Sequence, residues 1–111
     1  MIVDLQLYSV CLVDFPYVES AKSKLRPVIL ITIPTGEYDL LTVVPITSRH
    51  VEDECELSID DLKTTGLVKN SSTQIHRIST IPGDIITRQI GCLNNQDVAR
   101  LKKLLVQKLE L

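Results

Sequence analysis

Four residues in this chain have side chains suited to chemistry on an anionic substrate. Arg26 opens an apolar run and precedes Pro27, whose ring would fix the local backbone. A guanidinium is planar, stays charged, and can hold two phosphate oxygens at once. Thr47 closes a second apolar run and Ser48 follows it, placing two hydroxyls at one strand end. Either can hydrogen-bond an oxyanion. His76 lies in a stretch rich in β-branched residues, and its imidazole titrates near neutral pH, so it can act as general acid or base. Each also has a plain structural explanation. Arg26 could pair with Asp14 or Glu19, Thr47 could satisfy a turn, and a lone strand histidine is most often a satisfied part of the fold.

Other cations gather near these positions. Lys22 and Lys24 lie in a polar stretch just before Arg26, Arg49 follows Ser48, and Arg77 follows His76. Charged loops of this kind suit phosphate steering, though solvated loop lysines are the ordinary alternative. The net charge is −2, so no global basic footprint exists, but a local basic face on a mildly acidic protein is possible. Acids crowd one window instead: Glu52, Asp53, Glu54, Glu56, Asp60 and Asp61. That window reads as a soluble loop, or as a surface that repels a polyanion from the wrong face. Aromatics are few, and Tyr17 is the best placed to stack on a base.

Metal and cofactor chemistry is not expected. His50 lies beside Glu52 and Asp53, but no regular spacing joins them to a second histidine. Cys11, Cys55 and Cys92 are odd in number and widely spaced, with no Cys-x-x-Cys pair. They read as thiols of a reducing compartment. No apolar run approaches the ~20 residues of a spanning helix, and the N-terminus carries no basic-then-apolar leader. The expectation is a cytoplasmic protein without a membrane partner.

The elements that must position these side chains follow from the apolar pattern. At 111 residues and 44% apolar content, the chain suits one domain spanning 1–111. Residues 7–15 read as a strand ending before Pro16, and 16–25 as a loop. Runs 27–33 and 40–46 are short, β-branched and nearly continuously apolar, the pattern of strands buried on both faces. Pro34-Thr35-Gly36 marks the turn between them. A short strand over 55–59, a turn or short helix ending at Gly66, and a strand over 71–81 follow. Pro82-Gly83-Asp84 breaks that strand, and 85–93 fits more than one state. Finally, Val98, Leu101, Leu104, Leu105 and Leu109 recur at helical spacing opposite Arg100, Lys102, Lys103, Gln107 and Lys108, behind a cap at Asn94 or Asn95. Five or six strands and then a helix, without βαβ alternation, predict a mostly β fold: a small antiparallel barrel or half-barrel with a C-terminal helix.

Three segments together resemble the MazF/PemK family of toxin ribonucleases. They are Leu12-Val13-Asp14-Phe15-Pro16 followed by Lys24-Leu25-Arg26-Pro27-Val28; then Val44-Pro45-Ile46-Thr47-Ser48-Arg49; then Thr65-Gly66-Leu67 leading through 71–81 to Ile90-Gly91-Cys92-Leu93 and the last helix. The likeness runs from about residue 7 to 109, and its ordered spacing is more specific than any single motif.

The resemblance implies an SH3-like barrel of the MazF/PemK/CcdB type, working as a homodimer. It implies metal-independent cleavage of single-stranded RNA, with no cofactor, and neutralisation by a cognate antitoxin. It assigns Arg26 and Thr47 to catalysis; Lys22, Lys24, Ser48, Arg49, Arg77 and Tyr17 are the candidates for RNA contact that charge, hydroxyl and ring chemistry near these positions offer. One departure stands out. With Ser71 on the family's serine, the acidic residue and glutamine common in that strand fall on His76 and Arg77. His76 then either replaces the acid in catalysis or marks a drifted site. If the strand were regular, His76 and Arg77 would face opposite ways. Two rival readings keep the fold: a non-catalytic relative that binds nucleic acid or antitoxin, and a toxin that poisons a topoisomerase.

Overall fold

The computed structural model describes residues 5–14, 25–48 and 57–110. Within them the chain forms seven strands and two helices. In order these are β1 (Ser9–Asp14), β2 (Leu25–Leu30), β3 (Leu40–Thr47), β4 (Ser58–Ile59), α1 (Leu62–Thr65), β5 (Ser71–Thr73), β6 (Ser79–Pro82), β7 (Ile86–Cys92) and α2 (Asn95–Leu109). The strands make one curled antiparallel sheet in the order β4-β5-β3-β2-β1-β7, with β6 also paired to β3. This is the mostly β half-barrel with a C-terminal helix that the apolar pattern predicts.

The sheet buries apolar side chains on both faces. One set joins Cys11, Val13, Val28, Leu30, Leu41, Val43, Ile81 and Ile86 across five strands. The other joins Val10, Ile29, Val44 and Ile46 to Ile59, Ile75 and Leu101. Successive residues of β2 and β3 alternate between the two sets, as strand geometry requires. That is why both runs are apolar without a polar alternation.

Strand β3 changes partner part-way along. Its first half pairs with β6, Val43 opposite Ser79; its last residues pair with β5, Ile46 opposite Thr73. Two residues of β3, Val44 and Pro45, therefore lie against five on the other side, 74–78. The excess is taken up in a 3-10 turn, Ile75–Arg77. The single strand expected over 71–81 is thus two short strands around a turn, and the total exceeds the five or six expected. Pro45 supplies a reason. Its carbonyl accepts from the Gln74 N–H at 2.8 Å, so that edge of β3 faces the turn, and a proline has no N–H to return.

Helix α2 matches its sequence signals. The Asn94 side chain accepts from the Asp97 N–H at 2.7 Å and caps the first turn. Leu101 is fully buried, and Val98, Leu104 and Leu105 pack on the same core, while Leu109 remains exposed at the end of the apolar stripe. The short helix α1 ends on Gly66 at φ +76°, a left-handed cap that glycine adopts at least cost.

Candidate active site

Arg26 and Thr47 come to one place because of strand register. β2 and β3 pair antiparallel, Val28 opposite Pro45 and Leu30 opposite Val43. Continued two residues past its last pair, the same register would set Arg26 opposite Thr47. The Ile31 N–H donates to the Thr42 carbonyl at 3.0 Å, so 31 and 42 form a hydrogen-bonded pair. By alternation, 26 and 47 belong to the other class, whose side chains approach more closely. Both project from the face that carries Val28, Leu30 and Val43, because residues opposite or two apart share a face. On its other side Arg26 pairs with Val13 of β1, which is fully buried.

Pro27 determines where the ladder stops. Its position would pair with Ile46 by hydrogen bonds, but proline has no N–H to donate. The recorded pairing of β2 with β3 accordingly ends at Val28. Beyond it lie the guanidinium and the hydroxyl, each on a strand end that no longer zips to the other. Arg26 is half-buried, with its Nε enclosed, and Thr47 is half-buried as well. A half-buried guanidinium is less screened than a solvated one and holds an anion more strongly. Ser48 follows Thr47 and is exposed.

The 3-10 turn alters the expected layout of the third segment. His76 and Arg77 sit on this turn, so the opposite-face relation of a regular strand does not apply to them. His76 is exposed and Arg77 half-buried. The Arg77 carbonyl accepts from the Ser79 hydroxyl at 2.8 Å, which helps close the turn into β6. Ser71 spends its hydroxyl locally, donating to the Lys69 carbonyl at 2.8 Å. Lys22, Lys24, Tyr17 and Arg49 lie outside the described residues.

Two further side chains share the face of Arg26 and Thr47. Ser72 pairs directly with Thr47 across β3 and β5. Gln74 lies two residues on, opposite Pro45, to which its own N–H is bonded. Both are half-buried. Neither stands out in the sequence: residues 69–74 are all polar, so no alternation marks 72 and 74, and the phase of β5 depends on its register with β3.

A family model described as "PemK-like, MazF-like toxin of type II toxin-antitoxin system" matches residues 7–109. The chain belongs to this family. Its members are endoribonuclease toxins. Among the solved structures that resemble this toxin, the Mycobacterium tuberculosis toxin MazF-mt6 is 24% identical with a TM-score of 0.70, over 93% of this toxin and 97% of that chain. An endoribonuclease in complex with its cognate antitoxin, from a mycobacterial species, is 12% identical with a TM-score of 0.74, over 95% and 94%. At these identities the likeness establishes the fold. No curated protein sequence matches the toxin.

Proposed function

We propose that the toxin cuts single-stranded RNA without a metal ion, at a phosphodiester held between Arg26 and Thr47. The observation that supports this most is the antiparallel pairing of β2 with β3 up to Val28 and Pro45, which leaves Arg26 and Thr47 on the two strand ends just beyond it. Few parts are needed for such a cut. The 2′-oxygen bonds to phosphorus as its proton leaves to a base, the bond from phosphorus to the 5′-oxygen breaks, and that oxygen takes up a proton. A 2′,3′-cyclic phosphate and a 5′-hydroxyl result. Arg26 stabilises the charge that grows on the phosphoryl oxygens. Thr47 hydrogen-bonds a phosphate oxygen or the 2′-hydroxyl. His76, exposed on the 3-10 turn, is the proton carrier that replaces the family's acid.

Lys22, Lys24, Ser48, Arg49 and Arg77 steer and hold the flanking phosphates, and Tyr17 stacks on a base. The toxin acts in the cytoplasm as a homodimer, joined through sheet edges and the α2 region, where Val106 and Leu109 leave apolar surface exposed. A cognate antitoxin lays a segment across the RNA-binding face and blocks it.

Incubating the purified toxin with mixed-sequence RNA and a chelator tests the reading. Cleavage should persist, leave cyclic phosphate ends, and vanish with Arg26→Ala. Strict metal dependence, or an Arg26→Ala protein that cuts as fast as the wild type, refutes it.

A further inference from the structure

We propose that β5 supplies the base specificity of this toxin, with Gln74 and Ser72 reading the nucleotide next to the scissile phosphate. The inference rests on the reading that Arg26 and Thr47 hold that phosphate. Three strands meet at this end of the sheet in a fixed register. Arg26 lies two residues beyond the last β2–β3 pair, Val28 opposite Pro45, on the side of Thr47, and Thr47 pairs with Ser72 on β5. Gln74 follows the end of β5, two residues on from Ser72, and the 2.8 Å bond from its N–H to the Pro45 carbonyl ties its backbone to β3. Neighbouring strands lie ~4.8 Å apart, so Ser72 and Gln74 border the Arg26–Thr47 pair one strand over.

Their chemistry differs from that pair. Neither side chain is charged, and among the described residues neither makes a recorded hydrogen bond to protein. A carboxamide presents a donor and an acceptor side by side, the arrangement that matches the edge of a base and not a phosphate. The serine hydroxyl adds one group that donates or accepts. Both are half-buried, so a base resting on them loses water and the cost of a mismatch rises. Single-stranded RNA exposes its base edges to such groups. The backbone tie keeps Gln74 in a nearly constant place, which discrimination between bases requires.

Sequencing the cut ends from a randomised single-stranded RNA library tests this, using the wild type, Gln74→Ala, Gln74→Glu, Ser72→Ala and Arg26→Ala. The wild type should prefer particular bases at a position adjoining the cut. Gln74→Ala should flatten that preference by roughly tenfold, and Ser72→Ala by about threefold. Gln74→Glu, now an acceptor only, should move the preference away from uracil and toward bases with amino donors, guanine above all through its N1–H and N2 amino group. A merely structural role would slow all cuts together and leave the normalised profile unchanged. Unchanged profiles in all three β5 variants, with Arg26→Ala inactive, overturn this proposal and leave the phosphate reading intact. An active Arg26→Ala variant instead defeats the phosphate reading. A wild type without preference beside the cut also overturns the β5 proposal.

Discussion

Asp61 and Asn94 join the beginnings of the two helices by one hydrogen bond, from Asn94 Nδ2 to Asp61 Oδ2 at 2.9 Å. Each residue also caps its own helix. Asp61 Oδ1 accepts from the Thr64 N–H at 3.1 Å, and Asn94 Oδ1 accepts from the Asp97 N–H at 2.7 Å. Both side chains are thus held at both ends, and α1 is tied to α2 across the end of β7. Replacing Asn94 with Ala removes a cap and the link together. It should lower unfolding stability by about 1–2 kcal/mol, measured by urea denaturation.

The same bond has a pH signature. The Asp61 carboxyl lies below its ordinary value of 3.8, first because Asn94 donates to it and then because Thr64 does. Its folded pKa is depressed, so its contribution is present above pH 3.8 and is lost as pH falls through the lower, folded value. Melting temperature should therefore drop in that acid window. The Asn94→Ala variant should show a smaller drop, since the largest cause of the shift is gone.

At the candidate active site, Arg26→Ala should reduce single-turnover cleavage by roughly 10²–10³-fold while circular dichroism stays unchanged. Arg26→Lys should recover little, because an ammonium cannot make the bidentate grip. Thr47→Ser should retain most activity and Thr47→Val little, since only the former keeps the hydroxyl.

His76→Gln separates a proton carrier from a bystander. Removing a general acid or base should cost about 10²–10⁴-fold and erase the limb of the pH–rate profile that the imidazole supplies. A profile of unchanged shape would place His76 outside catalysis.

Two glycines mark where α1 meets β7. A Cβ on Gly66 would overlap the Ile90 carbonyl, and one on Gly91 would overlap the Thr64 carbonyl. Both obstacles are backbone, so neither can swing aside. Gly66→Ala also places an L side chain at φ +76°. Each variant should lose on the order of 3 kcal/mol or more by chemical denaturation.

The thiols should differ in reactivity. Cys11 is buried, and burial raises its pKa from 9.0 to about 11, whereas Cys92 is exposed. In a Cys55→Ser background, a thiol reagent at pH 8 should label Cys92 promptly and Cys11 only on unfolding. Because the folded pKa of Cys11 is raised, its contribution to stability is whole below pH 9 and declines toward pH 11.

Much of this fold was legible in local patterns. The apolar runs of β2 and β3, the helical spacing in α2, its cap at Asn94 and the stop at Gly66 are all set by neighbours within a few residues. Physical chemistry at that range is written in the residue types themselves. The motifs carrying Arg26 and Thr47 were visible for the same reason. The break at Ile75–Arg77 was not, because β-branched residues fit either a strand or the flanks of a short turn. What decides between them is Pro45, some thirty residues earlier, and the exchange of β6 for β5 along one edge of β3.

The sequence by itself determined the strands β1 to β3, the last helix, the family the chain belongs to, and which side chains could grip a phosphate. Only the tertiary structure decided that β2 and β3 bring Arg26 and Thr47 to the same end of the sheet, that His76 rides on a turn, and that Thr47 pairs with Ser72. Those relations are matters of register between strands far apart in the chain. Shifting one strand by a single residue would turn each of its side chains to the other face without changing one local propensity.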